Sequence, residues 1–342
     1  MSKVRFEHVA IDALAHVLPD ERVRTSDLEA QLAELYRSIG LKPGLVESLT
    51  GVMERRLWPQ DHGPAQAAAL AGREALGRAQ VRPEQIGAVV FTGVSKDLLE
   101  PSMASLVHGE LGLSPDCLNF DVGNACLGFL TGLTNVASMI ELGQIDAGLV
   151  VAGESSRTVT ESTVSRLSAP GASFAALREE MASLTLGSGA AAMVLCRSDL
   201  ARTPSRRLLG GAALAATEHA GLCQGTMTRM RTDATKLLQE GIEIATRTWQ
   251  ETQRAFSLAV SDVAAFCLHQ VGKANHDAVL SRLGIPEERA LRLYPELGNM
   301  GAASVPLALS RTVEAGLLSS GQRGVLMGIG SGLNSWMMVV EW

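Results

Sequence analysis

Residues 119–155, NFDVGNACLGFLTGLTNVASMIELGQIDAGLVVAGES, read as a buried strand, a Gly-Asn turn, a helix stopped at Gly143-Gln144, and a second buried strand with a glycine-rich end. The same grammar returns at residues 294–332, YPELGNMGAASVPLALSRTVEAGLLSSGQRGVLMGIGSG. Asn124 pairs with Asn299 at an offset of 175, Gly148 with Gly324 at 176 and Gly143 with Gly321 at 178. Upstream, residues 64–95 give an alanine-rich helix, a polar turn at Pro83 and the strand IGAVVFTG. Residues 241–272 repeat that order and end in VAAFCLHQ, with Ile86 aligned to Val263 at an offset of 177.

Near-constant offsets over four elements point to duplication of one unit of about 175 residues. Both halves alternate helices with apolar strands, so the expected class is α/β, with duplicated mixed-sheet halves and helix layers flanking and separating two sheets. The halves are expected at residues 1–200 and 201–342. Residues 158–181 and 202–236 carry more charge and less periodicity, and read as insertions that cap the core and wall a substrate channel.

Composition removes several function classes. With 19% charged residues and a net charge of −6, the chain lacks the basic stripe that a phosphate backbone needs, so no nucleic-acid partner is expected. The N-terminal stretch mixes charge with hydrophobes, unlike a secretory signal, and no apolar run is long enough for a membrane span; a cytoplasmic protein is expected. The five cysteines (Cys117, Cys126, Cys196, Cys223, Cys267) form no CxxC pair and no metal-type spacing with histidine, so neither disulfides nor a metal site is expected.

Cys126 in DVGNACLGF falls where a strand ends, a small-residue turn follows and a helix begins. Peptide dipoles and free N–H groups at a helix start favour a thiolate, which predicts a lowered thiol pKa and a nucleophile. Read alone, Cys126 equally fits a small hydrophobe packed between strand and helix. His269 ends the strand VAAFCL at the position equivalent to Thr92, and duplication puts the two strand ends on one face; a structural imidazole is the other reading. Asn299 occupies the matching turn of the second half, where it serves either chemistry or the turn itself. Thiolate, imidazole and carboxamide together supply a nucleophile and two donors for a developing oxyanion. In GIGSGLN (328–334), the Gly332 N–H is a candidate partner of the Cys126 N–H in holding a thioester oxygen, or the cluster marks a tight turn.

These four ordered motifs, DVGNACLGF, LHQVG, GNMGAASVP and GIGSGLN, resemble the thiolase superfamily in its ketosynthase III branch, over nearly the whole chain. The resemblance implies a thiolase fold in a five-layer αβαβα arrangement. RRLW (55–58), SKDLLEPS (95–102) and HQVG in place of HQAN look most like the OleA-like group of Claisen-condensing enzymes of long-chain olefin and β-lactone pathways. That likeness implies two fatty acyl-CoA substrates, no resident cofactor, an acyl-Cys126 intermediate and a 2-alkyl-3-ketoacyl product. It also implies a homodimer in which Glu100 is the base that deprotonates the second acyl-CoA, in its own or the neighbouring subunit, and downstream pathway enzymes as further partners. A solvated loop glutamate before Pro101 is the alternative for Glu100. HQVGKANHD departs from the ketosynthase III pattern, with Asn275 and His276 displaced, which weakens a malonyl-carrier-protein assignment. Decarboxylative ketosynthase III activity, acyl-CoA hydrolysis and a catalytically silent subunit stay open at this point.

Overall fold

Runs such as IGAVVF and AGLVVAGE are apolar at successive positions, so both faces of their strands need cover, and in the structure they have it. The computed structural model describes residues 2–342. Its first half contains β1 (Ser2–Arg5), β2 (Val9–Val17), β3 (Glu21–Arg24), β4 (Glu54–Leu57), β5 (Ile86–Phe91), β6 (Leu118–Asp121), β7 (Ala147–Glu154) and β8 (Gly189–Arg197). The second contains β9 (Arg207–Ala215), β10 (Cys223–Gly225), β11 (Met230–Thr232), β12 (Val263–Leu268), β13 (Arg323–Gly330) and β14 (Asn334–Glu341).

Strand order states the duplication directly. The first half runs β6-β5-β7-β8-β2 and the second β12-β13-β14-β9, the same order without a counterpart of β6. In each, the central pair is parallel (β5 with β7, β12 with β13) and the next two pairings are antiparallel. Even the register irregularities match, at Ile86/Ala88 and at Val263/Ala265. A single register pair, Ala10 with Arg207, joins the two sets into one hydrogen-bonded path, and β1 lies along β9.

Three apolar clusters define the layers. The helix Pro64–Arg78 covers one face of the first sheet through Ala68, Ala71 and Ala75, against Val89, Leu149 and Val194. The helices Gly128–Glu141 and Ser304–Glu314 fill the space between the sheets, with Leu130, Leu133 and Leu309 packed against Val150, Met193, Cys267 and Leu326. The helices Ala234–Phe256 and Lys273–Leu283 cover the outer face of the second sheet, over Phe266, Val325 and Met337. The architecture is therefore αβαβα. The segment expected as a capping insertion forms the helices Arg157–Leu167 and Phe174–Glu180, which share a separate small core with Leu28, Leu32 and Tyr36.

Three expectations are corrected. Residues 202–236 are not wholly an insertion, because they contain β9, a main strand of the second sheet. Its RLLGGAALA lacks alternation since Gly210 and Gly211 let neighbouring strands close in: a Cβ there would lie 2.1 Å from the Val4 carbonyl oxygen and 2.0 Å from that of Met337. The turn offset is 176, not 175. The tight turns Ala125–Leu127 and Gly301–Ala303 and the helix starts Gly128 and Ser304 all match at 176, so Asn299 corresponds to Gly123. Finally, the helix begins at Gly128, two residues after Cys126. Among the described residues no helix is long and apolar enough to cross a membrane.

Candidate active site

Cys126 sits in the 3-10 turn Ala125–Leu127 that leads from β6 into the central helix. Ala125 adopts φ +44, a left-handed conformation that L residues avoid, and Gly301 repeats it at φ +51 in the duplicate turn. From this turn Cys126 reaches a cavity lined mostly by residues of the second half. Behind it, Gly128 lets the helix touch β5: a Cβ would lie 2.2 Å from the Thr92 carbonyl oxygen. Among the described residues, the N–H groups of Cys126 and Gly332 donate to no backbone carbonyl.

His269 follows β12, where its N–H donates to the Met327 carbonyl at 2.8 Å, as Thr92 donates to Val151 at 2.9 Å in the first half. Its Nε2 lies 3.1 Å from Asn299 Oδ1, and the ring also meets the Ile329 carbonyl. Asn299 is fixed at both ends of its peptide, with its N–H on the Thr185 carbonyl at 2.9 Å and its carbonyl accepting from Gly187 at 2.8 Å. The Gly301 N–H donates to Oδ1 at 3.0 Å, which orients the amide, and Nδ2 has no acceptor among the described residues.

Cys126, His269 and Asn299 line one cavity. Its walls are mainly apolar, from Leu237 and Ile242 of the helix Ala234–Phe256 and from Leu268, Met327, Ile329 and Met337 of the second sheet. Of the two expected wall segments, only the later one contributes, through Cys223 and Met230 on the β10–β11 hairpin. Asn275 also faces the cavity, whereas the neighbouring His276 is buried and packs against the Tyr294 ring at 5.6 Å. Gly332, expected at the thiol, does not line the cavity; Gly330 and Ser331 do. Gly332 is turned towards Asn334, whose Nδ2 donates to Asn124 Oδ1 at 3.2 Å, while Gly330 packs on the nucleophile turn, 3.4 Å from its would-be Cβ to Cys126 N.

The electrostatics reverse one expectation. The thiol was expected to be lowered by the helix start; instead burial pushes Cys126 up to about 12, with the nearby Glu154 charge and then Cys223 adding to the rise. Only its own N–H opposes them. What surface the thiol retains faces a narrow, apolar-walled cavity, where an isolated anion is poorly solvated. Burial likewise holds His269 down at about 4, against the stabilising contacts of Asn299 and Ile329. The resting pair is therefore a neutral thiol and a neutral imidazole.

Glu100 is not brought to this cavity within its own chain. It lies exposed on the loop between β5 and the helix Met103–Leu111, beside Leu98 and Leu99, which is 94% exposed. One residue that sequence reasoning passed over is Glu154, at the end of β7. It is buried and fully hydrogen-bonded, and its only sequence signal was a charge closing an otherwise apolar strand.

Comparison with known proteins agrees with this fold. Residues 120–210 match the 3-oxoacyl-[acyl-carrier-protein] synthase III family and residues 254–342 match the synthase III C-terminal family. The acyl-CoA:acyl-CoA alkyltransferase of Xanthomonas campestris is 41% identical over 337 residues, covering 98% of this chain and 99% of that protein. That of Shewanella oneidensis is 38% identical over 350 residues, covering 99% and 100%. The cerulenin-bound crystal structure of Xanthomonas campestris OleA superposes with a TM-score of 0.96 at 41% identity, covering 99% of this chain and 98% of that one. A cysteine-to-serine form of that protein with bound lauric acid and lauroyl-CoA superposes equally well, at 0.96, with 98% and 100% covered.

Proposed function

The chain belongs to the acyl-CoA:acyl-CoA alkyltransferase family of ketosynthase III-like condensing enzymes, and from that premise we propose that it joins two fatty acyl-CoAs by a non-decarboxylative Claisen condensation. The observation that carries this reading is the meeting of Cys126, His269 and Asn299 in one mainly apolar cavity.

In the first half-reaction the thiol attacks the acyl-CoA carbonyl. His269 takes the proton, and the imidazolium so formed can donate from both ring nitrogens, to Asn299 Oδ1 and to the Ile329 carbonyl. The tetrahedral oxyanion is held by the Cys126 N–H, which donates to no backbone carbonyl among the described residues. Collapse breaks the carbon–sulfur bond to CoA, which leaves as thiol with the proton from His269.

In the second, Glu100 removes an α-proton from another acyl-CoA, with Asn299 Nδ2 donating to the enolate oxygen. The carbanion attacks acyl-Cys126, the thiolate departs and is reprotonated, and 2-alkyl-3-ketoacyl-CoA remains. Its hydrolysis gives CoA and a 2-alkyl-3-keto acid. An unactivated acyl-CoA loses no CO₂, so a base is needed. Because Glu100 lies outside its own cavity on an apolar exposed loop, we assign it to the Cys126 of a partner subunit in a homodimer.

The decisive experiment supplies purified protein with one long acyl-CoA and identifies products by mass spectrometry. The expected result is an acyl mass on Cys126 followed by a condensed product containing both chains. Free fatty acid alone marks a hydrolase, and CO₂ release with product only from a malonyl-carrier-protein extender marks a decarboxylative synthase; either sinks the proposal.

A further inference from the structure

Glu154 is a buried carboxylate for which the reaction above has no task. It is 4% exposed, and no cation pairs with it among the described residues; burial raises its pKa, and its hydrogen bonds from Val94, Ser95 and Ala302 oppose that rise and favour the carboxylate. Its Oε1 accepts from the Val94 N–H at 2.8 Å and the Ala302 N–H at 2.9 Å; its Oε2 accepts from the Ser95 N–H at 3.0 Å and the Ser95 hydroxyl at 2.9 Å. Val94 and Ser95 begin the loop that carries Glu100. Ala302 adjoins Gly301, whose N–H holds Asn299 Oδ1 at 3.0 Å. One side chain thus connects the segment that presents the base to the turn that presents the enolate donor.

The duplication explains how a carboxylate came to fit there. At the offset of 176, Ala302 is the counterpart of Cys126 and Gly330 that of Glu154. Both turns aim an N–H at the end of the neighbouring strand. In the catalytic copy that strand ends in Gly330, which leaves the Cys126 N–H open for a substrate oxygen. In the silent copy it ends in Glu154, and the side chain itself fills the anion position.

We propose that Glu154 is a positioning residue for carbon–carbon bond formation, a buried anion that holds the Asn299 turn and the Glu100 loop of each chain in one register. The proposal rests on the condensation read above. Misplacing reacting groups by about 1 Å costs on the order of 10²-fold in rate, and all four donors here need a doubly accepting carboxylate. The charge also acts on the nucleophile: the titratable groups facing Cys126 are Glu154 from β7, Cys223 from β10 and His269 after β12.

Glu154→Gln and Glu154→Asp test it. Glutamine replaces one acceptor oxygen by a donor and removes the charge; aspartate keeps the charge on a shorter arm. In both variants condensation turnover is expected to fall on the order of ten- to a hundred-fold, and to fall more than acylation of Cys126, so that acyl-enzyme accumulates. The alkaline limb of Cys126 alkylation by iodoacetamide should move to lower pH in Glu154→Gln and stay in place in Glu154→Asp. Ser95→Ala, which removes one donor, should show the same split more weakly if the glutamine variant fails to fold. A glutamine variant that condenses at the wild-type rate overturns the proposal, as does equal loss of both half-reactions with an unmoved alkylation limb. Wild-type enzyme that acylates but yields no condensed product refutes the condensation reading itself, and this proposal with it.

Discussion

Burial favours the neutral forms of both Cys126 and His269. With the thiol near 12 and the imidazole near 4, neither titrates between about pH 6 and 9. Protonation of His269 removes the base only towards pH 4, and free thiolate appears only towards pH 12. The rate of Cys126 acylation by a saturating acyl-CoA should therefore be level across that window. Rapid-quench measurement of the acyl-enzyme is the check, and a sigmoid centred near pH 7 would show a pre-formed ion pair instead. His269→Ala should slow acylation by about 10²–10⁴-fold, the usual worth of a positioned base, while Cys126→Ala should abolish the acyl mass altogether. The three site residues were legible because each stands in a motif at a strand end or in a turn. Their electrostatics were not, since a helix start and a buried cavity pull a thiol in opposite directions and only coordinates reveal that burial wins. Glu154 was invisible for a related reason: its partners are backbone N–H groups, which carry no sequence signature.

The elements that hold the thiol tolerate little change in volume. Gly128 opens the central helix against the Thr92 backbone, and the nearest atom to an added Cβ is a carbonyl oxygen that cannot swing away. Gly128→Ala should lower unfolding free energy by about 1–3 kcal/mol, the cost of overpacking a filled core, and should slow acylation by shifting the Ala125–Leu127 turn. Denaturant melts and burst kinetics measure the two effects. Gly241 presents the opposite case: it lies within the helix Ala234–Phe256, faces the cavity, and a Cβ there would meet only Ile329 Cγ2 at 3.6 Å. Gly241→Ala should stabilise the protein by up to about 1 kcal/mol through helix propensity, and Gly241→Leu should shift selectivity towards shorter acyl-CoAs. Unchanged chain-length preference in the leucine variant would mean that the acyl group runs elsewhere. Strands with continuous apolar runs, such as β5 and β7, were readable at this scale. The glycine–alanine strand β9 was not, because its place in the sheet depends on backbone contacts with Val4 and Met337 and not on side-chain alternation.

At the scale of the molecule, duplication makes one candidate site from two copies of a strand–turn–helix unit, and the near-constant offset in the sequence was enough to anticipate two sheets and three helix layers. It said nothing about Glu100, which belongs to neither repeated turn. In a single chain this carboxylate is exposed and lines no part of the cavity that holds Cys126. Beside it, Val94, Leu98 and Leu99 expose apolar surface, and β6 ends the sheet as an unpaired edge with Leu118 also exposed. A second copy covering this region would hide the apolar loop and carry each Glu100 towards the other chain's site. The arrangement predicts intersubunit complementation. Cys126→Ala and Glu100→Ala proteins should each lack condensation, yet mixing them under conditions that exchange subunits should create dimers with one intact composite site. With random exchange half of the dimers are mixed, so about a quarter of wild-type turnover per total site should return. Acylation of Cys126 in the Glu100→Ala protein should be near normal throughout, because the base serves only the second half-reaction. If mixing restores nothing while subunit exchange is demonstrated by native mass spectrometry, Glu100 acts within its own chain or not at all; a Glu100→Ala protein that condenses unaided removes it from the mechanism.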